Sequence, residues 1–445
     1  MYVTEIEIKD LRCFSGVQRL SLDRGDGSYA GWTVFAGRNG AGKSTLLKTI
    51  GATLAGPLAA QTLSGSFPAW VRRGAKSAHA ASRVLIDIEH DRFEERNGRI
   101  LGLWMLPGLC WFPNDPDADT LEPWIDEKKW NNGSVRHLEI GPWAKRPRGW
   151  FVAGYGPYRH LGPASSEAER FKKDPSLARL INLFNVAATL SDAVDWLKDV
   201  QLRAHEHKPG AAELRDVVLR LLNDGLLPDS SRVDRVDSDG LWIERSGVTL
   251  PLEHVSDGYR TVAALVVDLV RRLHDAYKDV PLGADLTCPL PGVVLIDEVD
   301  SHMHVEWQQK IGFWLTRHFP ALQFLVTTHS PFICQAASPR GLIRLPAPGE
   351  RRKMDHVNPR LFNAIVNGSA DDAVMSELFG LEHAHSEAAE ELREQVAELE
   401  LKALREVATR DDLRRYEELK ALLPNDLGEQ ADRRFRAMRS RRDTR

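Results

Sequence analysis

Cysteine is scarce in this chain, and its placement excludes more than its number. Cys13, Cys110, Cys288 and Cys334 are scattered over 445 residues with no C-x-x-C pair and no zinc-ligand spacing. A disulfide-built scaffold and a zinc finger are excluded, and a reducing compartment is the expected setting. An excess of one charge is missing too: 59 Lys and Arg against 63 Asp and Glu leave a net charge of −4. Any nucleic-acid contact must then come from a local patch rather than from the field of the whole protein. No apolar run approaches the ~18 residues that a membrane helix needs. The opening MYVTEIEIKDLRCF alternates like a strand and lacks the apolar core of a signal peptide. The expectation is a cytoplasmic protein with no membrane partner. Its 42% hydrophobic and 27% charged residues are ordinary for a globular chain, long enough for two or three domains.

What is present is a phosphate-binding loop. Residues 37–44 read GRNGAGKS, which fills G-x-x-x-x-G-K-[ST] with Gly37, Gly42, Lys43 and Ser44. An apolar strand, Trp32 to Ala36, precedes it, and a helical run, Thr45 to Leu54, follows. Backbone N–H groups must approach a phosphate closely, and glycines at 37, 40 and 42 leave no Cβ in the way. Gly37, Asn39, Gly40, Ala41, Gly42, Lys43, Ser44 and Thr45 are therefore the candidate cradle. Lys43 reaches the β/γ-phosphates in such a loop, and the Ser44 hydroxyl completes a Mg²⁺ shell. The motif implies a bound nucleoside triphosphate.

Elsewhere the pattern alternates between strands and helices. Tyr2–Leu11 and Val17–Leu22 read as strands, and Arg83–His90 with Arg99–Leu106 as a hairpin about Asn97-Gly98. Pro107–Gly149 is rich in Pro, Gly and Trp and reads as loop. Seven of the twelve tryptophans fall between Trp70 and Trp150, either as cover for a sheet or as a platform for stacking bases. Trp150–Gly154 is the next strand. Ser166 with Glu169 fits a capping box, and Leu177–Phe184, Leu190–Leu202 and Leu214–Leu222 have helical spacing. Polar residues 229–240 lead into strands around Leu241–Glu244 and Val248–Leu252. Val293–Asp297 and Gln323–Thr328 read as buried strands flanking a helix from about His304 to His318, a parallel β-α-β unit. Leu392, Val396, Leu399 and Ala403, then Leu413, Tyr416, Leu419 and Leu423, form the seam of a helical hairpin or short coiled coil. The basic stretch beyond reads as a solvated tail.

Four further features suit the same nucleotide. Asp297-Glu298 ends a buried strand: Asp297 is the candidate metal-shell acid and Glu298 the candidate general base. His329 follows the neighbouring strand, where an imidazole can bond the γ-phosphate and report its loss. Ser256-Asp257-Gly258 opens an amphipathic helix, and its free N–H groups make an anion site. The chain already has one phosphate loop, so this turn is expected to meet the nucleotide held by another copy. His302 and His304 fall just after Asp300 and read as structural rather than as a metal pair.

GRNGAGKS, VSDGYR, VVLIDEVDSHMHVEWQ and FLVTTHSPF, in that order, resemble the ABC-type ATPase heads of the RecF, SMC and OLD class. The resemblance runs from residue 37 to about 335 and leans toward ATP-binding proteins of the PtuA type, of Septu and retron-linked anti-phage systems. It implies an α/β P-loop NTPase with a mixed β-sheet core, an α-helical insertion and a helical C-terminal extension. It implies ATP and Mg²⁺ as ligands, Ser256 and Gly258 as a signature acting in trans, Asp300 as the dimer-loop acid and His329 as the switch histidine. Two departures stand out. Asp257 occupies a place where transporter signatures carry glycine, and no convincing Q-loop glutamine is found; Gln61 comes early, and Tyr155–Arg159 is the other candidate.

The expected organisation is an ATPase core in two parts, 1–162 and 229–348, split by a helical insertion, 163–228. A helical dimerisation or partner-binding region, 349–424, and a basic tail, 425–445, follow. The expected function is an ATPase that dimerises head-to-tail around ATP, as a homodimer or higher even-numbered oligomer, and controls a separate effector, a nuclease, in anti-phage defence. A DNA-binding ATPase of repair or recombination is the alternative, with nucleic acid as a further candidate partner. The residues after Pro331 hold neither an E-G start nor a D-x-D pair in a βαβ setting, so a fused nuclease is not expected.

Overall fold

In a computed structural model of the chain, the described residues are 1–65, 67–91, 103–115, 118–124, 135–144, 147, 149–159, 161–162, 171, 174–228, 231–350, 352–379, 386–405 and 407–423. They divide into two compact units, Met1–Phe379 and Gly380–Arg445.

The first unit is built on two sheets. One is antiparallel: β1 (Tyr2–Leu11), β2 (Phe14–Ser21), β4 (Ala78–Leu85), β6 (Gly108–Asp115) and β7 (Ala118–Pro123) lie in the order β2-β1-β4-β6-β7. The short β5 (Trp104–Met105) pairs with β4. The other sheet carries β3 (Gly31–Ala36), β8 (Val152–Tyr155), β12 (Gly292–Ile296), β13 (Leu322–Thr327), β14 (Leu342–Arg344) and β15 (Asp355–His356), in the order β15-β14-β3-β13-β12-β8. All its pairings are parallel except the one between β14 and β15.

Helices cover both faces of the second sheet, which is why β12 and β13 read as unbroken apolar runs. Val294, Ile296, Phe324 and Val326 face one core, shared with the helices Ser191–His205, Ala211–Leu222 and Asp257–Tyr277. Val293, Leu295 and Leu325 face the other, shared with the phosphate-loop helix and the antiparallel sheet. Gln323 ties the two sheets together: its amide donates to the Val3 carbonyl and accepts from the Val3 N–H, both at 2.8 Å. The helix Val305–His318 links β12 to β13, the parallel β-α-β unit expected from the sequence.

Several expectations need correction. Pro107–Gly149 is not all loop: β6 and β7 pair there, and a helix spans Val135–Ile140. Pro123 lies in the edge strand β7 and Pro113 in β6 beyond the residues that pair with β4, and these prolines masked the alternation. Of the expected hairpin, the first strand ends at Leu85 rather than His90, Val84 and Leu85 of β4 pair with β5, and Asn97-Gly98 lies outside the described residues. So does the Ser166–Glu169 capping box. Trp70 and Trp111 are buried and stacked at 5.5 Å with Phe67 at their edge, so these tryptophans cover the sheet from within. Within the polar stretch 229–240, β9 (Arg232–Asp237) pairs with β10 (Gly240–Arg245), which also pairs with β11 (Val248–Pro251). Only Val233 and Val236 mark β9 as a strand; its other positions are charged.

In the second unit the helices Glu387–Leu404 and Arg410–Leu422 pack against each other. Thr409 and Asp412 form a capping box at the second start. Leu419 of the expected seam is buried, whereas Leu413 is exposed.

Candidate functional site

The parallel sheet delivers its chemistry to one edge. β3 ends at the phosphate loop, β12 at Asp297, β13 at Thr328-His329, and β8 at the segment leading to Arg159. Because all four run the same way, their carboxyl ends share one side, where open α/β sheets bind ligands.

The loop itself depends on glycine. Gly40 and Gly42 have φ of 78° and 92°, in the left-handed region. Gly42 caps the helix Lys43–Ala55, whose first turn contains no acid, so the positive end of the helix dipole is open to an anion. Lys43 is buried, and its Nζ donates to the carbonyl of Gly37 at 2.9 Å and of Arg38 at 3.4 Å. Burial lowers its pKa, while the charges of Glu298, Asp297 and Asp300 pull it back up. That coupling puts the lysine and the three acids in one electrostatic neighbourhood. Thr45 and Ala41 are buried; Asn39 and Gly40 are exposed at the tip.

Threonines at the end of β13 organise the acids. Thr327 Oγ1 donates to Asp297 Oδ1 at 2.6 Å and accepts the Glu298 N–H at 2.7 Å. Thr328 Oγ1 donates to Asp300 Oδ1 at 2.5 Å, and the His329 N–H reaches the same oxygen at 3.3 Å. Glu298 adopts φ 46° despite its side chain, and Ser301 Oγ donates to its Oε2 at 3.2 Å. His329 is exposed at the rim. Asp297 and Ser44 offer a carboxylate and a hydroxyl, the hard oxygens that Mg²⁺ takes beside substrate phosphates and water. No group of three His, Cys, Asp or Glu among the described residues could hold a metal alone. His304 instead caps the helix Val305–His318, its Nδ1 accepting the Glu306 N–H at 3.4 Å, and His302 is exposed at φ 64°.

Ser256, Asp257 and Gly258 stand elsewhere, at the start of the helix Asp257–Tyr277. Ser256 is the exposed N-cap residue with no side-chain cap bond, and Asp257 pairs with Arg260 at 2.7 Å, which turns its carboxylate back along the helix. A Cβ on Gly258 would stand 2.7 Å from the Trp307 ring and 3.2 Å from the His302 carbonyl. The structure thus gathers the phosphate loop, Asp297, Glu298, Asp300 and His329 at one edge and builds the Ser256–Gly258 turn against Trp307.

The roles of three residues escaped the sequence reading. Thr327 and Thr328 look like ordinary strand β-branched positions, and only the fold shows what their hydroxyls meet. Arg159 lies in the Tyr155–Arg159 segment; it is fully buried and its guanidinium bonds the backbone of the Asp297–Ser301 turn.

A family profile described as "AAA domain, putative AbiEii toxin, Type IV TA system" matches residues 122–335, a span that begins after the phosphate loop. The "Septu protein PtuA" of Bacillus mycoides is 25% identical over 345 residues, 77% of this chain and 39% of that protein. The "Retron Ec83 probable ATPase" of Escherichia coli is 41% identical over 96 residues, 21% of this chain and 17% of that protein. A second "Septu protein PtuA", from Bacillus thuringiensis, is 32% identical over 123 residues, 27% of this chain and 31% of that protein. The chain spans less than half the length of these relatives. Among solved structures, an SMC head bound to the C-terminal winged-helix domain of ScpA is 14% identical with a TM-score of 0.47, covering 80% of this chain and 98% of that one. The chain is thus similar to a PtuA protein over most of its length and to the AAA-domain profile over residues 122–335.

Proposed function

We propose that this chain binds and hydrolyses ATP as an ABC-type head, that two copies close head-to-tail around two nucleotides, and that closure controls a separate partner protein. One observation carries the reading: the phosphate loop, the Asp297-Glu298 pair and His329 converge on a single sheet edge, with the two acids within electrostatic reach of Lys43.

In this reading the loop amides and Lys43 cradle the β- and γ-phosphates. Ser44 and Asp297 hold Mg²⁺, which supplies charge neutralisation at the phosphates. Glu298 takes a proton from the attacking water, and His329 bonds the γ-phosphate from the neighbouring strand end. Asp300, held by Thr328 and the His329 amide, ties the sensing histidine to the turn that carries the base. Ser256 and Gly258 present a second anion-binding helix start, which acts on the partner copy's nucleotide. Loss of the γ-phosphate removes these contacts and opens the pair, so ATP biases a two-state equilibrium. The Septu and retron names of the relatives support a setting in anti-phage defence; that the controlled effector is a nuclease is our proposal.

Replacing the base separates binding from chemistry. Glu298→Gln is expected to bind ATP, to turn over at least ~10²-fold more slowly, as loss of a general base costs, and to accumulate as a closed dimer by mass photometry. Lys43→Ala is expected to lose nucleotide binding. Normal turnover by Glu298→Gln would remove the assignment of the base, and monomers with ATP bound would remove the sandwich.

A further inference from the structure

Arg159 is a buried cation that nucleotide binding leaves unexplained. Its Nη1 donates to the carbonyls of Gly156 at 2.6 Å and Asp297 at 2.9 Å. Its Nη2 donates to those of Glu298 at 3.0 Å, Val299 at 3.1 Å and Ser301 at 3.4 Å. All but the first belong to the turn that follows β12. Among the described residues no carboxylate pairs with the guanidinium directly, and Nε has no partner. Burial brings its pKa down to about 10, opposed by the charges of Asp300, Asp297 and Glu298, so it stays protonated at neutral pH.

The turn needs such a partner. Glu298 at φ 46° and His302 at φ 64° both hold left-handed backbone without being glycine, a shape that persists only where the surroundings over-determine it. Carbonyl oxygens that converge on one point also repel each other, and a planar fork of N–H donors is the group that satisfies several at once. The fork is itself anchored. Tyr155, four residues earlier, donates from its hydroxyl to Asp268 at 3.0 Å, and Arg272 Nε bonds the same carboxylate oxygen at 3.2 Å. The Tyr155 carbonyl accepts the Asp297 N–H at 2.8 Å. The segment 155–159 is therefore fastened to the helix Asp257–Tyr277 at one end and to the turn at the other.

We infer that Arg159 is a positioning residue for hydrolysis: its guanidinium holds the Asp297–Ser301 backbone in the one shape that aims the Glu298 carboxylate at the nucleotide, without touching the nucleotide itself. The inference rests on the reading of Glu298 as general base. It predicts that Arg159 governs the chemical step and not nucleotide affinity, because its bonds go to the turn and none goes to residues 37–45.

The test compares the wild-type chain with Arg159→Gln and Arg159→Lys. Three quantities are measured: steady-state ATP turnover, affinity for a non-hydrolysable ATP analogue, and backbone hydrogen exchange over residues 296–303. For Arg159→Gln, kcat should fall by ~10²-fold, the scale of a misplacement of about an ångström. Analogue affinity should be unchanged and exchange over 296–303 should rise. Lysine keeps the buried charge, which guards against a variant that fails to fold, but lacks the planar fork; its kcat should lie between the other two. Wild-type kcat in both variants, affinity lost in step with kcat, or unchanged exchange would each overturn the inference. A wild-type chain that hydrolyses no ATP would instead overturn the hydrolysis reading, and the exchange comparison would still decide whether Arg159 holds the turn.

Discussion

At φ 92° the backbone of Gly42 lies in the left-handed region, and a Cβ there would stand 2.4 Å from the Cys13 sulfur and 2.9 Å from the Phe14 ring. Two penalties therefore coincide at one residue: conformational strain of roughly 1–2 kcal/mol for an L side chain in that region, and an overlap that the β1–β2 turn must yield to. Gly42→Ala is expected to lower the melting temperature and to abolish binding of a fluorescent ATP analogue, since the loop amides would rotate away from the phosphate. Adding Cys13→Ala shortens the intruding side chain but leaves φ unchanged. The double variant should regain part of the stability and none of the binding; full recovery of both would mean that the overlap alone makes glycine necessary. The neighbouring Gly40 is constrained less tightly, with only Pro348 Cγ at 3.1 Å.

Among the elements, the start of the helix Asp257–Tyr277 serves two masters. Gly258 lies under the Trp307 ring and beside the His302 carbonyl, and Tyr259 meets Trp307 edge-on at 4.7 Å. A glycine here is therefore required by packing within the chain, whatever it also does for a partner's nucleotide. Gly258→Ala together with Trp307→Phe separates the two demands. The single change should cost stability and turnover together. The pair should recover much of the stability, less the bond from the Trp307 indole to the Leu226 carbonyl at 3.0 Å, worth about 1 kcal/mol. Turnover should stay low if the glycine also approaches a phosphate; its return with stability would reduce Gly258 to a packing residue. The same element shows where sequence reading stops. Fixed spacing within a segment made the phosphate loop, β12 and β13 legible, because their residues act a few positions apart along the chain. Arg159, Thr327 and Thr328 act across elements, and nothing in their local pattern says which backbone they will meet. β7 and β9 were hidden for a different reason: they are edge strands, which tolerate proline and charge, so their alternation is weak.

On the scale of the whole molecule, the two compact units differ in how they are held together. The first buries two extensive apolar clusters, and Ile365, Ala373 and Leu378 extend one of them beyond β15. The second, by contrast, buries only Leu419 among its described apolar residues, while Leu401, Leu404, Val407 and Leu422 stand 48%, 78%, 66% and 70% exposed. Apolar side chains in that number on a short helical pair suit contact with another protein better than they suit a core. A chain ended after Phe379 is therefore expected to melt close to the full-length protein and to bind an ATP analogue equally well. One ended at Gly349 removes Ile365 and Leu378 from the first core, at about 2–5 kcal/mol for each large apolar side chain lost. That fragment should aggregate or bind nothing. Thermal melts and analogue titrations on both fragments, beside affinity capture of the proposed effector by the longer one, test the division. If the fragment ending at Phe379 lost nucleotide binding, the second unit would be part of the nucleotide-binding body; if it still captured the effector, the partner surface would lie on the first.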